Sequence, residues 1–458
     1  MIDVVQAFDR QLIEQLPSDD ANALEAKLAR AAALHADRRL WLKPFERIAI
    51  LRRLAGLVEA ERQAFGGLIA REGGKPLTDA LVETDRAIDG IRNAADMLRV
   101  RGGTEIPMEL TPGSSDRRAW TIQEPIGVVA AISAFNHPFN LAVHQVAPAI
   151  ATGCPVIIKP ATATPLCARR LLQLAAEAGL PDGWAQLFLP AGSGLSQQLA
   201  TDTRVAFLSF IGSARVGWQL RASLPPGTRC ALEHGGVAPL IIDRSADLEA
   251  LIEPVAKGGY YHAGQVCVSV QRIYVHEALK HEFIERFADR VSELRTGDPT
   301  LPETEVGPLI HPREADRVAN WIAEAVEGGA RLIGGGRLRD TTLQPTILVE
   351  PSPDTKVSRE EVFGPVTCVY GFDTLDDAIA RANALPVAFQ SSIFTRDLDV
   401  ALDAAERLDA SAVMINDHTA FRTDWMPFAG RRASGYGVGG IPFTMEEMSA
   451  EKMIVFRR

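Results

Sequence analysis

The stretch "GVVAAISAFNHPFNLAVHQVAPAIATGCPVIIKPA", residues 127–161, decides the fold of this chain. It begins with a continuous apolar run over residues 127–135, which suits a strand that is buried on both faces. Residues 140–153 carry a helical pattern that ends at a glycine, and residues 155–161 form a second short apolar strand. A strand, a helix and a second strand in this order predict a parallel sheet of the doubly wound type.

The same alternation continues along the chain. Residues 165–181 have a helical pattern, residues 184–191 suit a third strand, and residues 205–224 combine a strand, a Gly-Ser turn and a helix. A second block of alternating strands and helices begins near Glu233 and runs to about residue 432. These two blocks predict an α/β protein with two successive α/β units.

The remaining segments have a different character. The first hundred residues are mostly helical in pattern. Residues 104–125 are extended, carry proline and glycine and have no helical period, which indicates a hairpin arm or a linker. The last residues, 445–458, end in a strand-like run.

Length and composition bound the class of protein. With 458 residues the chain is too long for a single core, so we expect two or three domains. The net charge of −10 argues against nucleic acid as a partner, because phosphate contacts need clustered lysine and arginine. No stretch approaches the roughly twenty apolar residues of a membrane span, and the N-terminus does not resemble a signal peptide.

The five cysteines, at positions 154, 167, 230, 267 and 368, are scattered. They form no CxxC pair and no zinc spacing, so we expect no metal site and a reducing, cytoplasmic setting. The one in "YYHAGQVCVSVQR" (260–272), Cys267, has two interpretations. Free cysteine usually behaves as a small buried hydrophobe, and its alternative role here is that of a nucleophile.

Polar groups follow several of the predicted strands. Gly212 and Ser213 form a turn before a helix, which either is an ordinary connection or presents backbone N–H groups to an anion. Lys159 lies at the carboxyl end of a strand, the edge at which parallel α/β sheets bind ligands. Asn136 either donates a hydrogen bond into a cleft or caps the following helix.

Seven short motifs occur together in one order along the chain. They are Phe135-Asn136 with Pro138, Lys159-Pro160, Gly212-Ser213, Glu233 with Gly235-Gly236, Gly264-Gln265 with Cys267, Glu361 with Phe363-Gly364-Pro365, and "PFAGRRASGYG" at 427–437. This combination resembles the aldehyde dehydrogenase superfamily, and the resemblance covers nearly the whole chain. It implies NAD(P)-dependent oxidation of an aldehyde to a carboxylic acid.

The resemblance assigns three catalytic residues. Cys267 would be the nucleophile, whose thiolate attacks the aldehyde carbon to give a thiohemiacetal and then a thioester. The Asn136 amide and the backbone N–H of Cys267 would hold the oxyanion. Glu233 would activate the water that hydrolyses the thioester.

The resemblance also implies NAD or NADP as the cofactor. Many NAD-preferring members have glutamate where this chain has Thr162. Because a carboxylate repels a 2′-phosphate and threonine does not, we expect NADP⁺ to be tolerated or preferred. The implied cofactor-binding set is Lys159 at the adenosine ribose, Gly212 and Ser213 along the pyrophosphate, Glu361 at the nicotinamide ribose, Phe363 near the ring, and Phe135 and Thr162 beside them.

Three structural parts follow from the family fold. A Rossmann-like, parallel-sheet cofactor domain would take residues 1–106 and 126–232, and an α/β catalytic domain residues 233–432. Residues 107–125 and 441–458 would form a β-strand oligomerisation arm. A homodimer or homotetramer is therefore expected.

The expected substrate is a small, anionic aldehyde. His137 follows the oxyanion Asn136, while Arg86 and Arg422 lie in segments that the family places beside the substrate tunnel. Two arginines and a histidine would suit a phosphonate, sulfonate or carboxylate. The nearest resemblance is to phosphonoacetaldehyde and lactaldehyde enzymes, although Val266 replaces the arginine that precedes the nucleophile in the former. For Arg86, a solvated helix face or an ion pair between domains is the alternative.

Other activities remain as alternatives at this point. A CoA-acylating relative would release the thioester to CoA, but such members generally lack the glutamate that this chain has at Glu233. A broad-range dehydrogenase for neutral aldehydes would leave Arg86 without a substrate role. A thiol hydrolase built on Cys267 would have no need of the segments that contain Glu361 and Gly212.

Overall fold

The stretch over residues 127–161 forms the predicted strand, helix and strand in a computed structural model that describes residues 1–458. The helix ends at Gly153, whose φ of 84° is the left-handed conformation typical of a helix C-terminus. The two strands pair in parallel, with Ala130 opposite Ile157. The parallel α/β prediction is therefore confirmed.

Helices surround two sheets. Several begin at a side-chain cap, as where the Asp20 carboxylate accepts the N–H of Ala23 at 2.8 Å. In chain order the helices are α1 (Ala21–Ala36), α2 (Pro44–Ala60), α3 (Arg62–Gly73), α4 (Leu77–Val100), α5 (Asn140–Thr152), α6 (Leu166–Glu177), α7 (Ser193–Thr201), α8 (Ala214–Ala222), α9 (Leu248–Tyr260), α10 (Glu277–Glu293), α11 (Pro312–Glu327), α12 (Lys356–Arg359), α13 (Leu375–Ala382), α14 (Leu398–Arg407) and α15 (Ile441–Glu447).

The strands are short, as is usual where crossover helices join them. In chain order they are β1 (Ile2–Val5), β2 (Leu12–Leu16), β3 (Glu105–Ile106), β4 (Arg117–Pro125), β5 (Val128–Ile132), β6 (Val156–Lys159), β7 (Ala185–Leu187), β8 (Val205–Ile211), β9 (Arg229–Glu233), β10 (Pro239–Ile242), β11 (Arg272–His276), β12 (Arg331–Gly334), β13 (Arg337–Arg339), β14 (Thr342–Leu343), β15 (Thr346–Val349), β16 (Val366–Phe372), β17 (Val387–Ala388), β18 (Gln390–Phe394), β19 (Ala412–Ile415), β20 (Arg431–Arg432), β21 (Gly435–Tyr436) and β22 (Ser449–Arg457).

The first domain is built on a six-stranded sheet with the order β21-β9-β8-β5-β6-β7. All neighbours pair in parallel except β21, which is antiparallel to β9. Val129 and Ala131 of β5 enter the core on one face of this sheet, and Val128, Ala130 and Ile132 enter the core on the other. Side chains of a strand alternate between the two faces of a sheet. Because helices cover both faces here, every residue of β5 is buried, and this explains why the whole strand is apolar.

The second domain is built on a seven-stranded sheet with the order β12-β15-β16-β11-β10-β18-β19. Only β12 is antiparallel to its neighbour. Helices α9, α10 and α11 pack their apolar faces on it, and residues such as Leu251, Phe283 and Val318 are fully buried there. The chain thus has two parallel-sheet domains, each with its own core.

A three-stranded antiparallel sheet contains one strand from each of the two segments that were predicted to form the arm. Strand β22 pairs with β4 from Ser449 to Arg457, and β3 lies on the other edge of β4. The arm was expected to include residues 441–448 as well. In the structure, helix α15 instead buries Ile441 and Met445 in the core of the first domain against α4 and α5, because its apolar face needs that contact.

The first hundred residues are mostly helical, as predicted, because α1 to α4 cover most of residues 21–100. Residues 1–20 also contain two strands that the sequence analysis did not predict. Strands β1 and β2 form an antiparallel hairpin that buries Ile2, Val4 and Leu16. The alternation of buried and exposed residues in β1 extends over only four residues, which is too short to register against the long helical pattern that follows.

A buried ion pair fixes the start of helix α5 beside the candidate site. The Glu83 carboxylate accepts the backbone N–H groups of Phe139 and Asn140, each at 3.0 Å. Lys75, which is fully buried, donates to the other oxygen of Glu83. A buried carboxylate without its partner would cost several kcal/mol, so this pair anchors the segment that carries Asn136.

None of the helices combines sufficient length with sufficient apolar character to cross a membrane.

Candidate active site

The carboxyl ends of four adjacent strands form one side of the candidate site. In sheet order, β9 ends at Glu233, β8 leads into Gly212 and Ser213, β5 leads into Asn136, and β6 ends at Lys159. Ligands of open parallel sheets bind at this edge, because the connecting loops and helix N-termini diverge there. Topology thus brings together residues that are far apart in the sequence.

A cavity of about 1160 Å³ lies between this edge and loops of the second domain. Every residue that the sequence analysis proposed for the site lines it. The set comprises Arg86, Phe135, Asn136, His137, Lys159, Thr162, Gly212, Ser213, Glu233, Cys267, Glu361, Phe363 and Arg422.

Cys267 enters the cavity from a sharply bent loop. The preceding turn contains His262 and Ala263 with positive φ of 52° and 54°. Gly264 follows with a φ of 70°, and a Cβ there would lie 2.0 Å from the carbonyl oxygen of Gly364. This position therefore requires glycine.

Asn136 links the nucleophile loop to the first domain. Its Nδ2 donates to the carbonyl of Gln265 at 3.0 Å. The Gln265 side chain in turn accepts the N–H of Ile310 at 3.0 Å and donates to the carbonyl of Pro308 at 3.1 Å. A primary amide has two N–H groups, so one of those on Asn136 stays available to an oxyanion beside Cys267.

The thiol is protonated in the resting site. Burial raises the pKa of Cys267 to about 12, and the carboxylates of Glu361 and Glu233 add to the increase. Burial also raises the pKa of Glu361 to about 8 and raises that of Glu233. A carboxylate with a raised pKa is a stronger base, which suits Glu233 to the removal of a proton from water or from the thiol.

Arg422 brings an unpaired positive charge into the cavity. Its Nε and Nη2 are shielded from solvent and have no hydrogen-bond partner. The guanidinium carbon lies 3.5 Å from the ring centroid of Phe428, a favourable stacked contact. Burial lowers the pKa of Arg422, and the charges of Glu233 and Asp424 oppose this. Buried guanidinium donors without acceptors are costly, which marks this residue as a binding group.

Arg86, by contrast, is already paired. Its Nε and Nη2 donate to the two carboxylate oxygens of Asp424 at 3.1 and 2.8 Å. The same carboxylate accepts from Asn140 Nδ2 at 3.0 Å and contacts His144 Nε2 at 2.7 Å. This geometry corresponds to the ion-pair alternative for Arg86. The pair does not use Nη1, and Arg86 still lines the cavity. Asp424 was not found by sequence reasoning, since its partner is 338 residues away.

His137 contributes a neutral imidazole. Its Nε2 forms a hydrogen bond with the hydroxyl of Tyr261. Burial lowers the pKa of His137 well below its ordinary value, and the nearby charges of Lys75 and Arg86 lower it further. This ring therefore offers hydrogen bonds to a substrate and no charge.

The other end of the cavity has the chemistry that a dinucleotide needs. Oε1 of Glu361 is buried without a partner, which suits a ribose hydroxyl donor. Lys159 is largely buried, which lowers its pKa, and it has no carboxylate partner. The rings of Phe135 and Phe363 meet edge to face at 5.8 Å. These groups fit NAD or NADP, with Glu361 on a ribose and Lys159 on an anionic or hydroxyl oxygen.

Comparison with known proteins gives concordant matches. The model of the Aldehyde dehydrogenase family matches residues 1–454. A 3-sulfolactaldehyde dehydrogenase from Priestia aryabhattai is 38% identical over 413 residues, which cover 90% of this chain and 86% of that protein. Among solved structures, aldehyde dehydrogenase 21 from Physcomitrella patens in complex with the reaction product succinate has a TM-score of 0.96 at 32% identity, covering 100% of this chain and 95% of that one. A glyceraldehyde-3-phosphate dehydrogenase from Methanocaldococcus jannaschii complexed with NADP has a TM-score of 0.95 at 32% identity, covering 100% and 99%.

The charge around the thiol gives a testable consequence. At about pH 9 most of Glu361 is ionised, so Glu361→Gln removes a negative charge and lowers the thiol pKa. We expect alkylation of Cys267 by iodoacetamide in the cofactor-free protein to become about threefold to tenfold faster, since one pKa unit is a factor of ten. At about pH 7 the carboxyl is already protonated, and the difference should shrink. Peptide mass spectrometry follows the modified residue.

The neighbouring exposed carboxylate provides the matched control, Glu360→Gln, which should leave the alkylation rate unchanged. Equal rates for Glu361→Gln and the unmodified protein at both pH values would contradict this electrostatic description.

Proposed function

The chain belongs to the aldehyde dehydrogenase family and is an NAD(P)-dependent oxidoreductase acting on aldehydes, and we propose that it converts a small, anionic aldehyde to the carboxylic acid. The anionic character of the proposed substrate rests on one observation. The guanidinium of Arg422 is unpaired and lies in the same cavity as Cys267 and Glu233. A negatively charged group on the substrate would supply the acceptors that Arg422 lacks.

The chemical step begins at Cys267. Loss of the thiol proton produces the thiolate, which attacks the aldehyde carbon to form a thiohemiacetal. The free N–H of the Asn136 amide and the backbone N–H of Cys267 stabilise the oxyanion. When bound, the cofactor would supply the hydride acceptor for the oxidation, and Cys267 would then hold the substrate carbon as a thioester.

Release of the acid depends on Glu233. Its carboxylate removes a proton from a water molecule, whose oxygen attacks the thioester carbonyl. The carbon–sulfur bond breaks, the sulfur of Cys267 takes back the proton that Glu233 removed from water, and the carboxylic acid leaves. A buried base in the cavity favours hydrolysis over transfer of the acyl group to CoA.

Charged groups also recur in the names of three relatives. They contain a sulfonate in 3-sulfolactaldehyde, a carboxylate in succinate and a phosphate in glyceraldehyde-3-phosphate. Other relatives are named for lactaldehyde, which is neutral, and for betaine aldehyde, which is cationic. Arg422 is therefore the main support for an anionic substrate. His137 completes the proposed substrate contacts, while Arg86, which is paired with Asp424, contributes its charge from the cavity wall.

Glu361 would hold the ribose of the nicotinamide half of the cofactor, and Lys159 would hold the adenosine ribose. Gly212 and Ser213 precede helix α8 and would lie along the pyrophosphate. Thr162 presents no carboxylate to a 2′-phosphate, so NADP⁺ should be accepted alongside NAD⁺ or in preference to it.

The assembly is proposed to be a homodimer or homotetramer joined through the arm. The strands of the arm carry exposed apolar side chains, as is typical of an interaction surface: Trp120, Met453, Val455 and Phe456.

We expect light scattering to give the mass of two or four chains, and Phe456→Asp to reduce this mass. A monomeric unmodified protein would contradict the proposal.

The substrate assignment is tested with Arg422→Gln. The variant should lower kcat/KM for succinic semialdehyde or sulfoacetaldehyde by about tenfold to a hundredfold, the value of one or two charge-assisted hydrogen bonds. The value for propanal should change by less than about threefold, because propanal has no charge to bind. Reduced-nicotinamide absorbance gives the rates with NAD⁺ and NADP⁺ in parallel, and strict use of NAD⁺ would contradict the role of Thr162.

Two controls complete this experiment. Arg431→Gln removes an exposed arginine that pairs with Asp409 on the surface, and it should match the unmodified protein. Cys267→Ala is the blank. Equal losses for charged and neutral aldehydes in Arg422→Gln would return the protein to the broad-range class.

A further inference from the structure

The charge of the proposed anion site depends on a third residue, Asp424. We propose that Asp424 is a specificity-determining positioning residue that neutralises Arg86, so that Arg86, Asp424 and Arg422 together present one net positive charge and the site selects singly charged aldehydes, sulfonates or carboxylates, over phosphoryl dianions. The inference rests on the proposed function and narrows its substrate class. It assigns to Asp424 an action through Arg86 and no contact with the reacting atoms.

The geometry of the pair is that of a fixed, two-pronged ion pair. Arg86 on α4 donates through Nε and Nη2 to both oxygens of Asp424, at 3.1 and 2.8 Å. Asp424 is almost fully buried, and Arg86 is about one-quarter exposed. A bidentate pair of this kind occupies the Nε and Nη2 edge of the guanidinium, which would otherwise be available to bind a tetrahedral anion.

Three further contacts hold Asp424 in this position. Asn140 donates to it at 3.0 Å, His144 contacts it at 2.7 Å, and the N–H of Ile441 bonds to its backbone carbonyl at 2.9 Å. Burial by itself would raise the pKa of Asp424, but the hydrogen bond with His144 and the charge of Arg86 hold it well below its usual range. The carboxylate is therefore ionised throughout the working pH range.

The charges that face the anion site can then be counted. Two guanidinium groups, Arg86 and Arg422, and one carboxylate, Asp424, leave one net positive charge. Burial lowers the pKa of His137 and of His144, so neither imidazole adds a charge. The count covers these three groups alone, because Lys75 is paired with Glu83 and Glu233, whose charge also acts on Arg422, makes the same contribution in every variant compared below.

A single net charge distinguishes otherwise similar anions. Sulfonate and phosphonate groups are both tetrahedral and of similar size, but a phosphoryl group carries close to two negative charges above its second pKa. Transfer of the second charge into a largely buried site without a second cation is unfavourable. Sulfoacetaldehyde and phosphonoacetaldehyde form a matched pair of probes, since they differ mainly in charge.

The experiment measures kcat/KM for these two aldehydes and for propanal at about pH 8.5, with the full-length protein and NADP⁺ or NAD⁺. The unmodified protein should prefer sulfoacetaldehyde over phosphonoacetaldehyde. Asp424→Asn frees Arg86 and raises the net charge to two, so the preference should shift toward the phosphonate by at least about tenfold, which corresponds to about 1.4 kcal/mol. Propanal turnover reports whether each variant is folded and active.

Two further variants separate charge from contact. Arg86→Gln leaves Asp424 opposite Arg422 and no net charge, so the advantage of sulfoacetaldehyde over propanal should fall at least about tenfold. The double variant Arg86→Gln with Asp424→Asn restores one net charge and should restore that advantage. Arg86→Gln and the double variant also test the inference if Asp424→Asn does not fold.

The outcomes are distinguishable from those of the proposed function. An unmodified protein that turns over neither anion better than propanal overturns the proposed function and this inference with it. A protein that prefers anions but keeps the same sulfonate-to-phosphonate ratio in Asp424→Asn overturns this inference alone. A double variant that stays as poor as Arg86→Gln also overturns it, because Arg86 would then contact the substrate directly.

Discussion

The hydrogen bond from Asn136 to the carbonyl of Gln265 is the contact on which the site depends. It joins the carboxyl end of β5 in the first domain to the loop of the second domain that carries Cys267. Both partners are almost fully buried, so loss of the bond would leave a polar group without water or a partner. The same amide retains a second N–H, which is proposed to hold the oxyanion. The side chain that links the two domains is therefore also the proposed oxyanion donor, and the nearby Glu83 cap anchors the start of α5.

Burial of charge organises the chemistry around that contact. Burial raises the pKa of the Cys267 thiol, and the charges of Glu361 and Glu233 raise it further when those groups are ionised. Arg422 is charged and has two buried donors without an acceptor. A fold tolerates an unsatisfied buried group mainly where a ligand satisfies it. The cavity thus brings together the proposed nucleophile, the proposed base and the guanidinium that is proposed to bind an anion, and Asp424 offsets the charge of Arg86.

Much of this arrangement was predictable from the sequence. The features that were not predicted were missed for identifiable physical reasons. The stretch over residues 127–161 gave a correct βαβ unit because strands buried on both faces are continuously apolar. The β1–β2 hairpin was missed, since short strands of four and five residues carry little periodic signal. The packing of helix α15 in the core of the first domain was not predicted. Its apolar residues indicate that the helix is buried, but they do not indicate against which part of the chain. The pairing of Arg86 with Asp424 spans 338 residues, and no local pattern encodes it.

Cys267 and Glu233 are proposed to act in sequence on an anionic aldehyde within this cavity. The intact mass of Glu233→Gln after mixing with NADP⁺ or NAD⁺ and sulfoacetaldehyde tests this order of events most directly. The account predicts a persistent acyl adduct on Cys267, because the amide cannot activate water, and predicts no adduct when Cys267→Ala is combined with it. Undiminished turnover of Glu233→Gln without any adduct would contradict the account.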